Sequence, residues 1–312
     1  MDPTNPGISL QGSPDDPFVV AIIIVVGLIG LGCSFGSIYL TYKLPALHNG
    51  FGYICAAHSV AEAGVLVVFV LWSAPIILVD PTLGISVAGK IIGAFSYFCY
   101  FVTLYFLVIK SLNRFIAITS PIRYRRYFSD KNMKLIISFV YIAGFLHGIP
   151  FLIPECDYLF DARNYVWYFG ETICAQNYSS YVDLIYGCCL LFLTIFMDAC
   201  TFFYLHKNRK NMSVTTIRDN KEIRFFIQAC LTSSLYGALI FCFHVLTNFA
   251  TTKWEGFLAS SLSWELTHTF NGLIIVLFNI RFREKTNVQV KSFISDTSRV
   301  PSPKPVFTAS VT

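Results

Sequence analysis

The sequence predicts an all-α membrane protein, a bundle of seven transmembrane helices. Three observations predict it. Of 312 residues, 55% are hydrophobic and only 13% charged, against roughly 25% charged in soluble domains. The apolar residues gather into seven stretches, each long enough for a bilayer core, which needs about 20 residues per helix. Lys and Arg concentrate in alternate connections between those stretches.

The first stretch, 18–42, is apolar almost without interruption from Phe18, with Gly27, Gly30, Gly32 and Gly36 spaced for close helix contact. The second, about 52–79, is closed by Asp80 and Pro81, and the third, about 86–119, is long enough to tilt. The fourth, 134–153, ends at Pro154; the fifth, sixth and seventh follow at about 180–205, 223–249 and 257–280. Two non-apolar ends remain: residues 1–17, read as a short extracellular N-terminus, and 284–312, read as a flexible cytoplasmic tail. No basic n-region precedes the first stretch, and Asp15 and Asp16 stand just before it, so it is expected to serve as address and first span together. With the N-terminus outside, 20 of the 23 Lys and Arg fall on the inner side, counting Lys110 and Arg114 at the inner end of span three. The opposite orientation inverts that bias.

Eight of the ten cysteines lie in spans, where Cys acts as a small apolar residue. Cys156 and Cys174 share the outer loop between spans four and five. That compartment is oxidising, so a disulfide bracing a lid is expected; the alternative is two unpaired thiols. Asn177-Tyr178-Ser179 is a glycosylation sequon on the outer side, though its closeness to span five argues against occupancy. Asn211-Met212-Ser213 falls in an inner loop and is expected to stay bare.

Polar residues within spans face the bundle interior, because a charge at mid-bilayer costs roughly 2.5–3.5 kcal/mol. His58 and Glu62 share a face of span two at i, i+4. Glu62, Thr103, His268 and Asn271 are expected to form one buried polar cluster, acting either as a two-state hinge or ion site, or as packing alone with a neutral Glu62 satisfied by His268. A second set lies in the outer half: Ser96, Tyr97 and Tyr100, then Asp183 and Tyr186, His244 and Asn248, and Glu265. Aromatic walls with a few polar groups suit a small ligand, although a tyrosine taken singly is more often a helix-contact residue. No metal-ligand spacing, nucleophile–base pair or phosphate loop occurs. No enzyme activity, cofactor or nucleic-acid partner is therefore expected.

Span three closes with Ser111-Leu112-Asn113-Arg114-Phe115, followed by Pro121 and the basic Arg123-Tyr124-Arg125-Arg126. This resembles the Asp-Arg-Tyr signature and second inner loop of rhodopsin-type G-protein-coupled receptors, with Asn113 in the acidic place. A narrower resemblance runs in order along the chain. Its parts are Pro154-Glu155-Cys156, Trp167-Tyr168-Phe169, Cys174, Tyr181-Val182-Asp183, Asp198 through Thr201, Glu222 through Cys230, Trp264 through His268, and Asn271-Gly272-Leu273. Together these look like the nematode serpentine receptor class X family of chemoreceptors.

The resemblance implies a rhodopsin-like seven-helix bundle in the plasma membrane, with sensory cilia the expected site, that takes a small-molecule ligand on its outer side. It implies coupling to a heterotrimeric G protein through Asn113, Arg114, Phe115, Arg123, Arg125 and Arg126. Three departures stand out. Gly89 occupies the place of the usual loop-bonding cysteine, which favours the Cys156–Cys174 pairing; no proline follows Cys242-Phe243-His244; and Gly272 replaces the proline expected after Asn271. Two other readings compete: a receptor for an endogenous peptide or amine, and a channel or transporter. Transporters usually carry internal repeats, and none is found.

Overall fold

The computed structural model describes residues 13–208 and 216–278. The Asn211 sequon, the 284–312 tail and the side chains of the basic residues between 208 and 226 lie outside the described residues. Among the described residues six helices are long and apolar enough to cross a membrane: Asp16–Lys43, Gly50–Val79, Val87–Thr119, Asp130–Leu152, Ile173–Lys207 and Ile227–Phe249. A short helix outside the membrane, Lys253–Phe257, leads into a seventh span, which passes through Leu258–Leu262 and continues over 263–278. They are numbered here as spans one to seven, and together they form a seven-helix bundle.

Span three runs through the middle and packs on spans two, four and five. Spans four and five turn large apolar side chains outward, among them Leu135, Phe139, Phe192 and Phe203. In water such exposure would mark an aggregation surface; in a bilayer it is the lipid face.

Three spans widen locally from α to π geometry, and these departures set side-chain directions. Span two widens to a π turn at Phe69–Ser73, with Ala74 alone between it and Pro75. Proline has no N–H and its ring collides with the preceding turn, which the wider turn relieves. Span five widens to a π stretch at Tyr178–Tyr186, just after the α turn Ile173–Asn177, and span seven carries one at Leu258–Leu262.

The connection between spans four and five holds a structure that helical periodicity does not announce. Strands β1 (Tyr158–Asp161) and β2 (Val166–Phe169) pair antiparallel, with Tyr158 opposite Phe169 and Phe160 opposite Trp167. Asp161 caps the turn, its carboxylate accepting from the Arg163 amide at 2.9 Å and the Asn164 side chain at 2.6 Å. The hairpin plugs one mouth of the bundle, and Tyr158, Phe160 and Trp167 are almost wholly buried. Two glycines permit the depth. Gly93 of span three lies directly against the Tyr158 carbonyl, and Gly84 against that of Phe160.

The plug is bonded on several sides. Ser260 donates to the Trp167 carbonyl at 3.1 Å and Ser261 to that of Tyr165 at 2.6 Å. Lys90 pairs with Asp157 at 2.5 Å. Cys156 and Cys174 are joined by a disulfide with Cα atoms 5.1 Å apart. Tyr165 has φ 61°, a left-handed value that a bulky residue adopts at a cost. Its carbonyl bond to Ser261 and its hydroxyl bond to Asp16 hold it there.

Candidate ligand cavity and polar network

Two cavities lie along the bundle axis. One sits under the hairpin; the other opens toward the arginine-bearing end of span three.

The hairpin-side cavity has a volume of about 20 Å³. Span three contributes Tyr97 and Tyr100, the hairpin Tyr158, and span seven Trp264. Span five contributes Asp183; span six contributes Leu239, Ile240, Phe243 and His244. The rings form a continuous aromatic wall: Trp264 lies 6.1 Å from Tyr100 and 6.0 Å from Tyr158, edge to face in both contacts. Asp183 is buried, and His244 Nε2 stands 2.9 Å from one of its oxygens. Tyr97 donates its hydroxyl to the other at 3.4 Å. Beyond His244 lies a wider vestibule of about 670 Å³, walled by β2, the start of span five and the segment around Lys253. Phe243 and His244 line both chambers.

Of the eight residues expected around this pocket, Tyr97, Tyr100, Asp183 and His244 line the cavity. Asn248 lines the vestibule, its amide donating to the His244 carbonyl at 2.7 Å. Ser96, Tyr186 and Glu265 do not line it, for reasons of helical phase. Ser96 precedes Tyr97, about 100° around the helix, and donates to the Gly93 carbonyl at 2.8 Å. The π stretch takes Tyr186 off the face of Asp183, out to the seam between spans three, four and five. There its hydroxyl meets that of Tyr105 at 2.9 Å, and Tyr105 meets His147 at 2.7 Å. Glu265 follows Trp264 and turns to span one, packing over Gly27. Leu239, Ile240, Phe243, Trp264 and the hairpin's Tyr158 escaped the sequence reading. Ile240 precedes His244 by four residues and so carries a readable signal; Tyr158 carries none, because only the hairpin brings it there.

Deeper in the bundle runs a chain of buried polar groups. The Lys110 ammonium donates to His58 Nδ1 at 2.7 Å. His58 Nε2 stands 3.7 Å from Glu62. Asn271 donates to the Glu62 carboxylate, and Thr232 donates to the Asn271 carbonyl oxygen at 2.8 Å. Four spans are thereby tied: three, two, seven and six. The expected cluster is half assembled. Glu62 and Asn271 meet, but Thr103 turns its hydroxyl back to the Tyr100 carbonyl at 2.6 Å. His268 lies among the rings of Tyr236 and Trp264, with neither nitrogen bonded. The pairing of Glu62 with His268 does not form. Lys110, counted from sequence as lying at a span end, is buried. Its signal was spacing: it stands seven residues from Thr103 and four from Arg114, on their face of the helix.

The arginine-side cavity is smaller, about 10 Å³. Its polar wall comprises Lys110, Ser111 and Arg114 of span three, with Gln228, Thr232 and Ser233 of span six. Arg114 is buried, its guanidinium 5.2 Å from the centre of the Phe51 ring. Asn113 donates to the Tyr124 hydroxyl at 3.4 Å. Phe115 is half-buried, and Arg123, Arg125 and Arg126 are exposed on the short helix Pro121–Tyr127. Asn177 is exposed at the end of the short helix Ile173–Asn177. Among the described residues no group of three or more His, Cys, Asp or Glu is placed to hold a metal ion.

A family model described as serpentine type 7TM GPCR chemoreceptor Srx matches residues 24–279. The chain belongs to this family. Among its relatives is serpentine receptor class X 45 of Caenorhabditis elegans, 22% identical over 94% of this chain and 87% of that protein. Serpentine receptor class X-43 of the same organism is 23% identical over 87% and 86% of the two chains. Human olfactory receptor 2T7 is 23% identical over 86% of this chain and 90% of its own length. Among solved structures, squid rhodopsin superposes with a TM-score of 0.70 at 16% identity, covering 95% of each chain. That likeness is one of fold. The Srx chain is thus a multi-pass membrane protein of the G-protein-coupled chemoreceptor type, and neither its family nor its fold is that of an enzyme.

Proposed function

We propose that this Srx receptor binds a small molecule in the hairpin-side cavity and answers by activating a heterotrimeric G protein at the arginine side. The observation that carries the reading is the placement of span six. Its Leu239, Ile240, Phe243 and His244 wall the ligand cavity, and its Gln228, Thr232 and Ser233 wall the cavity at Arg114. A ligand that binds better when span six has moved shifts the closed–open equilibrium of the whole bundle. The same movement uncovers Arg114, while the exposed Arg123, Arg125 and Arg126 stand beside it for the partner's acidic or carbonyl groups.

The hairpin faces outside in this reading and the arginine side faces the cytoplasm. The distribution of Lys and Arg supports that orientation, as does a disulfide in the hairpin segment. The receptor would stand in the plasma membrane, and sensory cilia are the compartment that suits a chemoreceptor. Asn177 is then at the extracellular end of span five, in its first turns.

The test is a ligand screen in a heterologous cell with nucleotide exchange as readout, repeated with Arg114→Ala. Exchange should be evoked in the parent and fall at least roughly tenfold in the variant at equal surface display, the effect of losing about 1.4 kcal/mol of coupling. Unchanged exchange in the variant refutes the coupling role. Ligand-evoked currents that persist without any G protein would replace the receptor reading with a channel.

A further inference from the structure

We propose that the hairpin-side cavity is a socket for the ammonium group of a primary amine, with Asp183 as its counter-ion and His244 as the door. The inference rests on the reading that this cavity is the ligand site, and it names the chemistry of the ligand.

Size is the first argument. A cavity needs about 10–15 Å³ to hold one water molecule, and this one offers about 20 Å³. An ammonium group fits a space of that size. The remainder of the ligand then lies in the adjoining vestibule of about 670 Å³. That chamber is polar, with Gln176, Ser179, Asn248, Thr251 and Thr252 on its walls. A single molecule suits both: a small charged head and a larger body rich in hydrogen-bonding groups.

Charge is the second argument. Among the described residues no Lys or Arg lines the cavity, and the one carboxylate there, Asp183, is buried at the wall. Around it stand Tyr97, Tyr100, Tyr158 and Trp264, whose ring faces attract cations and not anions. A carboxylate ligand would meet Asp183 with only His244 to oppose the repulsion. Lys253 lines the vestibule with its ammonium 5.7 Å from the Tyr165 ring centre, so its charge lies at the far wall, placed for an acceptor on the ligand's outer end.

The third argument is the door. His244 occupies the Asp183 oxygen that faces it at 2.9 Å, while Tyr97 holds the other. His244 also lines the vestibule. An entering ammonium takes the place of His244 on Asp183, and the imidazole turns into the chamber that it already borders. Because His244 and Phe243 belong to span six, displacement of the door pushes on the span whose other end walls the Arg114 cavity.

Two measurements test this on the full chain in detergent. The first is thermal stabilisation by a library of small primary amines, each paired with its N-acetylated form and its carboxylate analogue. Amines should stabilise and their partners should not. Asp183→Asn should weaken the amines by roughly 100-fold, as for loss of a desolvated ion pair. His244→Ala should strengthen them up to about tenfold, as for one hydrogen bond no longer broken. The second needs no ligand. The thiol of His244→Cys is labelled with 2-aminoethyl or 2-sulfonatoethyl methanethiosulfonate and read at residue 244 by mass spectrometry. The ratio of cationic to anionic labelling should fall at least about tenfold when Asp183→Asn is added, since a buried charge concentrates counter-ions locally. An unchanged ratio, or amine binding indifferent to Asp183→Asn, overturns the socket. Amines that stabilise without evoking nucleotide exchange uphold it and refute the signalling reading. Neutral or acidic ligands that evoke exchange while amines stay inert do the reverse.

Discussion

Replacing Cys156 and Cys174 together by serine should lower the stability of the receptor by about 2–3 kcal/mol. The closed loop has a sequence separation of 18, and the chain-entropy relation for a loop of that length gives about 3 kcal/mol at 25 °C. Two features bear on that figure. The loop ends are anchored by spans four and five, and spans in a bilayer or micelle stay close together when packing is lost, so the unbridged loop gains less freedom than a free chain. The hairpin itself does not need the bridge for its position. Tyr158, Phe160 and Trp167 are buried by packing that does not involve the two cysteines, and Ser260, Ser261 and Lys90 bond the hairpin segment independently of them. The double variant should therefore fold, display normally and melt roughly 5–10 °C lower, at about 2–4 °C per kcal/mol for a chain of this size or smaller. The assay is fluorescence-detected size-exclusion after heating, with and without reductant. Reductant should lower the parent to the level of the variant and leave the variant unmoved. A variant that melts within about 1 °C of the parent would refute the reasoning, because the hairpin packing alone would then fix the loop.

Gly93→Val should disturb the plug from the opposite side. A side chain there meets the Tyr158 carbonyl, and backbone cannot yield as a flexible side chain does, so a loss of about 1–3 kcal/mol or more is expected in the same melting assay; a neutral outcome would mean that the hairpin sits higher than described. Thr232→Val deletes the bond that ties span six to Asn271. One neutral bond contributes about 1 kcal/mol, so ligand-free nucleotide exchange should rise about fivefold, and a fall would show that the bond belongs to the open state. Glu255 answers to pH. The Thr251 amide is foremost among the hydrogen bonds that hold its exposed carboxyl below the ordinary 4.5. A depressed carboxyl contributes above its unfolded value and loses that contribution as pH falls through the folded one. Hydrogen exchange at the Thr251 and Thr252 amides should thus be slow at neutral pH, once corrected for intrinsic rates, and lose protection in acid below the ordinary carboxylate range. Equal protection at both pH values, or loss on raising pH, would count against it.

Much of the bundle was readable because a bilayer imposes a simple rule on composition. The sequence places spans one and three at 18–42 and 86–119, and the structure has them at Asp16–Lys43 and Val87–Thr119. What resisted reading was rotation about each helix axis. A span apolar on every side gives no periodic stripe to show which face is inward. Hence Ser96 and Tyr97, or Trp264 and Glu265, look equally eligible for a pocket, though neighbours point about 100° apart. The π turns add a second uncertainty, since they shift the phase of everything beyond them, as at Tyr186. The hairpin is harder still. Its strands are four residues each, too short for alternation to stand out, and their burial depends on glycines sixty-five or more residues away in sequence.

Lys110 shows how the same physics would arrange the proposed switch. An ammonium within the bundle is expensive unless partnered, and its partners here are His58 and, through it, Glu62. All three belong to spans two and three, which pack closely on each other. The charged part of the chain is thus confined to helices that need not separate. Its link to span six is neutral: Thr232 to Asn271, and Asn271 onward to Glu62. In the proposed opening by span six, the link of this polar network that would break is the Thr232 bond, at about 1 kcal/mol, whereas parting a buried ion pair would cost about 3–5 kcal/mol. A ligand need only bind the open state about fivefold better to offset that bond. A small amine head in a cavity of about 20 Å³ can supply that difference; it could not readily supply the thousandfold that a charged link across span six would demand.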